Sequence, residues 1–87
     1  MPDKVSAADI HDVVKVHILE EYLPGERPEN LTDSTPLITG GILDSITTLK
    51  LVVFLEERYG IELQAHEVDA EHLDTMPQIV RLVQSKL

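Results

Sequence analysis

Ser45 is the residue of this chain whose position best suits it to carry an attached chemical group. It lies in residues 40–46, Gly-Gly-Ile-Leu-Asp-Ser-Ile, where a loop meets a segment with helical apolar periodicity. The first N–H groups of a helix have no partner within it, and the helix dipole favours negative charge there, so a phosphate on the Ser45 hydroxyl would be well placed. Asp44 is the predicted N-cap, because its carboxylate can accept from the N–H groups two and three residues further on.

The same serine lacks the neighbours that nucleophilic catalysis requires. Serine hydrolysis needs a base within reach and a third group that orients the base. No histidine is placed near Ser45 by the sequence, and residues 41–45 do not form a G-x-S-x-G elbow. The four histidines are His11, His17, His66 and His72. The residues therefore give no support for an enzyme.

Metal and thiol chemistry have little support either. His66 and His72 flank Glu67 and Asp69, but this is no recognised metal-ligand spacing, and we expect no metal. The chain contains no cysteine, so any reactive thiol must come from an added group. His17 lies on the apolar face of the first predicted helix, where we expect a packed, hydrogen-bonded side chain.

Composition and charge exclude several function classes. A length of 87 residues with 43% hydrophobic residues predicts one globular domain over residues 1–87, with a core of Leu, Ile and Val. The formal charge of −9 disfavours binding to nucleic acids or anionic membranes and favours basic protein partners. Residues 1–4 do not resemble a signal peptide, and no apolar run reaches membrane-spanning length. We therefore expect a cytoplasmic monomer.

Hydrophobic periodicity predicts an all-α fold, a small bundle of three longer helices and one short helix. The first helix is predicted to begin after Ser6 and to end soon after Tyr22. Residues 23–43 show no regular periodicity and are predicted to form a long ordered loop with a helical turn near Leu31. The apolar residues expected to anchor this loop on the core are Leu31, Leu37, Ile38, Ile42 and Leu43.

Three further elements are predicted after the loop. The second helix should run from about Ser45 to Tyr59 and end at Gly60. A short third element spans about 65–72. The last helix follows Thr75, because Thr-Met-Pro-Gln supplies an N-cap, a first-turn proline and a capping-box glutamine. Its predicted apolar stripe contains Ile79, Leu82, Val83 and Leu87.

The second helix has two apolar stripes, although a small bundle needs only one for its core. The first stripe contains Thr48, Leu51, Val52, Leu55 and Tyr59. The second contains Ile46, Leu49 and Val53, on roughly the opposite side. Either the second stripe is left free for a partner or ligand, or the long loop covers it, and periodicity does not decide between these.

Acidic residues surround this region, and together they resemble a docking surface for basic partners, although Lys50 and Arg58 interrupt it. Taken singly, each acid is better explained as part of a solvated face. These acids are Asp44, Glu56, Glu57, Glu62, Glu67, Asp69, Glu71 and Asp74.

Residues 43–63 resemble the acyl carrier protein family. Leu-Asp-Ser-Ile at 43–46 is followed by an apolar helix and then by Glu-Glu-Arg-Tyr-Gly-Ile at 56–61. The family pattern is Asp-Ser followed by Leu, Ile or Met, then an apolar helix that ends in acids, an aromatic residue, Gly and Ile. The order of the predicted elements extends the resemblance over essentially the whole chain.

The resemblance implies that Ser45, preceded by Asp44 of the motif, carries 4′-phosphopantetheine. A separate phosphopantetheinyl transferase would transfer the group from coenzyme A with Mg²⁺, and a ligase would load an acyl or aminoacyl group on its thiol as a thioester. Downstream biosynthetic enzymes would then use this cargo. The residues that would contact these partners are Ile46, Leu49, Val53, Glu56 and Glu57.

Two positions depart from the pattern of fatty-acid carriers, which usually have acids two and five residues after the serine. Here these positions are Thr47 and Lys50. Residues 41–45 and 75–80 are more similar to stand-alone aminoacyl, peptidyl or D-alanyl carriers, so an aminoacyl or specialised acyl cargo is slightly favoured over primary fatty-acid synthesis. The alternative function is a non-catalytic helical interaction module with Ser45 as an unmodified cap residue.

Overall fold

Within residues 6–87, four α-helices form the fold: α1 (Ala7–Tyr22), α2 (Ser45–Tyr59), α3 (Ala70–Leu73) and α4 (Met76–Lys86). The structure is a computed structural model that describes residues 6–87, and this part of the chain contains no strand. The predicted all-α bundle is therefore confirmed. Residues 1–4, where no signal peptide is expected, lie outside the described residues. Within residues 6–87, no helix combines the length and the apolar character needed to cross a membrane.

The helix ends lie where the capping residues predict them. The Ser6 hydroxyl accepts from the N–H of Asp9 and begins α1. Thr75 begins α4, and its capping box with Gln78 is complete in both directions. Gly60 ends α2 with φ 66°, a left-handed conformation that glycine adopts without the steric cost of a Cβ.

The third predicted element is divided into two. A 3₁₀ turn at Ala65–Glu67 precedes the short helix α3, which begins anew after Asp69. The Asp69 carboxylate accepts from the N–H groups of Glu71 and His72, as an N-cap does. The division follows from this cap, because the backbone of Asp69 adopts an extended rather than a helical conformation.

The long loop crosses the core, as its apolar residues predict. Leu31, Leu37 and Leu43 are at most 1% exposed, while Ile38 and Ile42 are half-buried against them. The expected turn is a 3₁₀ turn at 28–30, immediately before Leu31. The helices, together with Leu63 in the segment after α2, complete the core with apolar side chains: Ile10, Val14, Ile18, Leu51, Val52, Leu55, Leu63, Leu73, Met76, Ile79, Val80, Leu82 and Val83. Leu87 is 56% exposed, so extending the stripe of α4 to this residue is wrong.

The two stripes of α2 have opposite environments. The first stripe faces the core, with Tyr59 half-buried and its other members buried. The second stripe is exposed: Ile46 by 66%, Leu49 by 58% and Val53 by 50%. The loop therefore does not cover the second stripe, which we call the outer face of α2.

Candidate functional site

Ser45 is the first residue of α2, and its side chain is exposed. Asp44 precedes it in an extended conformation, and its Oδ1 accepts from the N–H of Thr47 at 2.8 Å. The Thr47 hydroxyl oxygen in turn accepts from the N–H of Asp44 at 2.8 Å. Asp44 is thus the N-cap that its position predicts. The reciprocal role of Thr47 is not predicted, because a capping box usually has Glu or Gln at this position.

The Asp44 carboxylate is committed to this cap. Hydrogen bonds from the backbone and then the side chain of Thr47 lower the pKa of Asp44 below its ordinary value. A carboxylate held in this way is a poor proton acceptor for Ser45. Among residues 6–87 no histidine ring bonds to Ser45; His11 contacts Asp12 and Asp33, and His72 contacts Asp69. The arrangement presents a hydroxyl without the base that would make it a nucleophilic catalyst.

A groove with a volume of about 550 Å³ opens beside Ser45. We call it the serine groove. The loop, the start of α2 and the segment before α3 all contribute to its walls, which are mostly apolar with acidic groups at the edges. Its lining residues are Ile38, Leu43, Asp44, Ser45, Thr48, Leu49, Val68 and Asp69.

Asp74 fixes the loop side of the serine groove. Its Oδ1 accepts from the N–H groups of Ile38 and Thr39, both at 2.8 Å, and its Oδ2 accepts from the Thr39 hydroxyl at 2.9 Å. The N–H of Leu37 also donates to the Asp74 carbonyl at 2.6 Å. These bonds, led by the one from the Thr39 N–H, lower the pKa of Asp74. The groove wall at Ile38 is therefore tied to the junction between α3 and α4.

Gly40 has a structural role in the same loop. A Cβ at this position would overlap the backbone oxygen of Pro36, so no larger residue fits without movement of the loop. Gly40 lies three residues before Leu43, so this close approach shapes the chain before it enters α2. The sequence indicates only that this glycine belongs to a loop.

The residues expected to contact partners divide into two groups. Ile46, Leu49 and Val53 lie on the outer face of α2, and Glu57 is exposed as well. Glu56 is half-buried, and its Oε2 accepts from the N–H of Leu63 at 2.9 Å. The carboxylate of Glu56 is therefore occupied in holding the chain that follows α2.

His17 is packed as expected but is not hydrogen-bonded through Nε2. Its ring stacks on Phe54, with centroids 3.7 Å apart and planes 7° from parallel, and it meets the edge of Tyr22. Nε2 is buried and has no partner among the described residues, so the predicted hydrogen bond is wrong for this atom. Burial lowers the pKa of His17, although the charges of Glu21 and Glu20 oppose the shift.

The acids and histidines between 66 and 72 do not assemble into a metal site in the described part of the chain. Glu67 instead binds the ammonium of Lys86 at 2.8 Å, and Asp69 binds Nδ1 of His72 at 2.8 Å. The first pair ties the 3₁₀ turn to the end of α4, and the second lies within α3 and its cap.

The chain is similar to a known protein over nearly its full length. No protein-family profile matches the chain. The acyl carrier protein of Chlamydia muridarum (strain MoPn / Nigg) is 30% identical over 77 residues, which cover 88% of this chain and 95% of that protein. The similarity thus extends far beyond the Asp-Ser motif, across the elements that position Ser45.

Proposed function

The chain belongs to the acyl carrier protein family, and from this premise we propose that Ser45 carries a 4′-phosphopantetheine group. Proteins of this family are carriers without catalytic activity of their own, so the chain is a carrier protein and not an enzyme. We further propose that its cargo is an acyl or aminoacyl group. The observation that carries the attachment site is the exposed Ser45 hydroxyl at the first position of α2, beside the serine groove.

The residues around Ser45 suit such a group. A phosphodiester at the start of a helix gains about 0.3–1 kcal/mol from the helix dipole. The N–H groups of Thr47 and Thr48 donate to Asp44, and the N–H of Ile46 makes a lesser contribution to the same carboxylate, which leaves the N–H of Ser45 without a partner among the described residues. When bound, the group supplies the terminal thiol that this cysteine-free chain lacks and that holds a cargo as a thioester.

The chain's own residues would position the attachment point and shape its surroundings. The capping box of Asp44 and Thr47 fixes the first turn of α2, so that Ser45 stays exposed. Asp74 holds Ile38 in the wall of the serine groove. The apolar walls offer a place where part of the arm or its cargo can leave water.

The cargo we propose is aminoacyl or specialised acyl, in preference to intermediates of primary fatty-acid synthesis. The support comes from the first turns of α2, where fatty-acid carriers usually have acids. Thr47 is used in the cap, and Lys50 is exposed. A partner that recognises acids at these two positions would meet a hydroxyl and a cation instead.

The proposed partners are a phosphopantetheinyl transferase, a loading ligase and downstream biosynthetic enzymes, all met in the cytoplasm. Their contact surface would be the outer face of α2, with Ile46, Leu49 and Val53 as apolar contacts. Glu57 would add a charged contact. Glu56 would contribute less than we expect from the sequence, because it is bonded to Leu63.

Incubation with a broad-specificity phosphopantetheinyl transferase, coenzyme A and Mg²⁺ tests the attachment. Intact-mass measurement should show a gain of one phosphopantetheine group per chain. Ser45→Ala should abolish the gain, whereas Ser34→Ala, which removes another exposed serine before α2, should leave it unchanged. A wild-type mass that several transferases leave unchanged would contradict the proposal and favour the unmodified cap. Loading the modified protein with amino acids and fatty acids, each with a candidate ligase, would then distinguish the cargo classes.

A further inference from the structure

We propose that the outer face of α2 docks on a protein surface that carries a carboxylate opposite Lys50, within an otherwise apolar contact. The inference rests on the proposed function, since it concerns the enzymes that reach Ser45. It specifies the charge of the partner group that faces Lys50, and the net charge of −9 does not predict a negative group there. We call this expected partner group the acceptor carboxylate.

The spacing of residues on α2 puts Lys50 in the middle of the outer face. Ile46, Lys50, Val53 and Glu57 follow one another at intervals of four, three and four residues, so they form one row along the helix. All four are exposed, and Leu49 lies beside the row. The row begins next to Ser45, with a cation between two apolar side chains and an anion about three turns from its start.

Lys50 has no ion pair with any residue from 6 to 87. Asp44, the acid at the start of the helix, is held by Thr47 and forms no ion pair with it. In the free protein, water solvates the Lys50 ammonium. A partner that covers Ile46 and Val53 removes much of that water, and an ammonium left without a new acceptor would oppose docking.

A carboxylate on the partner therefore fits this position best. A cation there would lie against Lys50 and repel it, and a wholly apolar surface would leave the ammonium desolvated. The acids of α2 do not reverse this preference near Ser45, because Asp44 is used in the cap, Glu56 is bonded to Leu63, and Glu57 lies towards the far end of the helix. The negative net charge acts over longer distances and is screened by salt.

The test uses a panel of phosphopantetheinyl transferases, from which the one with the highest kcat/KM for the wild-type protein is chosen as the probe. Lys50→Glu should lower the kcat/KM of this transferase about tenfold, mainly by raising KM. The reason is that the attraction between Lys50 and the acceptor carboxylate becomes repulsion at a contact that loses water. The Kd of the unmodified carrier for a catalytically inactive form of this transferase should rise by a similar factor. Lys50→Arg should stay within about twofold of the wild type, since it keeps the charge.

Arg58→Glu is the matched control. It makes the same change of net charge on the same helix, but Arg58 is exposed on a different side, away from the row of Lys50. Its effect should stay within about twofold at each salt concentration. Raising the salt should reduce the difference between the wild type and Lys50→Glu only in part, because salt screens charges less where the contact excludes water. Circular dichroism should show both variants folded, since neither side chain is part of the core.

A charge exchange identifies the acceptor carboxylate. Acids on the carrier-binding surface of the probe transferase are replaced singly by lysine, and one of these variants should restore activity towards Lys50→Glu. An unchanged or higher kcat/KM for Lys50→Glu, or no rescuing variant, would overturn the inference while leaving attachment at Ser45 intact. Failure of every transferase to modify the wild-type protein would overturn the proposed function and this inference with it.

Discussion

Replacing Asp74 with alanine should release the loop wall of the serine groove. The Asp74 carboxylate accepts three hydrogen bonds from Ile38 and Thr39, whereas the methyl group of an alanine would accept none. The backbone bond from Leu37 to the carbonyl of residue 74 is independent of the side chain and should remain. The substitution should therefore act first on residues 38 and 39, in the loop segment that precedes Ser45 and α2.

The expected loss of stability is about 2 kcal/mol. A hydrogen bond to a charged group contributes about 1.5–3 kcal/mol when it is buried. Asp74 is only half-buried, so water can replace part of each interaction, and the total for three bonds is reduced accordingly. In a domain of this length a loss of about 2 kcal/mol lowers Tm by roughly 8–16 °C. Asp74→Asn keeps one oxygen for the two N–H groups and should lose less than half as much.

Thermal unfolding followed by circular dichroism measures the global effect, and amide hydrogen exchange locates it. The amides of Ile38 and Thr39 should exchange faster in Asp74→Ala, by more than the amide of Leu51 does in the core of α2. Glu62→Ala is the control, because Glu62 is exposed and its side chain makes no hydrogen bond within the described residues. A Tm no lower than that of Glu62→Ala, with unchanged exchange at both loop amides, would refute this role of Asp74.

Burial places the pKa of His17 in the folded protein below its ordinary value of 6.5, so the unfolded chain takes up the proton first and stability should fall as the pH drops below about 6.5. His17→Gln should remove this part of the pH dependence of Tm, and an unchanged slope would contradict the assignment. Leu51→Ala should destabilise the protein by about 2–5 kcal/mol in urea, whereas Leu49→Ala should change stability by less than about 0.5 kcal/mol. Gly40→Ala should lower stability by about 1–3 kcal/mol because of the overlap with Pro36, and a wild-type unfolding midpoint would show that the loop adapts.

The helices are predictable from the sequence because their signals are local. Ser6, Asp44 and Thr75 each satisfy N–H groups within three residues, and Gly60 supplies the conformation that ends α2. Apolar periodicity then determines which side of each helix can enter a core. The same local signals place Ser45 at the start of α2, so the proposed attachment residue is located without the structure.

The walls of the site are not predictable in this way. Asp74 lies 35 and 36 residues from the backbone groups it binds, and nothing in its local sequence distinguishes it from the other acids. Glu56 has the appearance of a surface acid until its bond with Leu63 is seen. Whether the loop covers the outer face of α2 is likewise a tertiary question, because periodicity describes one helix at a time.

The burial of His17 illustrates a second limit. A helical periodicity assigns the residue to an apolar face, and the structure confirms the packing on Phe54. Hydrogen bonding depends on groups from other elements, and none reaches Nε2 among the described residues. The packing of His17 could therefore be predicted from α1 alone, whereas the hydrogen bonding of its Nε2 could not.

Locating the attached group tests the proposed carrier function most directly. The protein is treated with transferase, coenzyme A and Mg²⁺, digested, and fragmented by tandem mass spectrometry to find which residue has gained the phosphopantetheine mass. We predict that the group is on Ser45 alone, at the first position of α2. A group on Thr47, Ser34 or another hydroxyl, or an unmodified Ser45 in fully active transferase mixtures, would contradict the proposed role of Ser45.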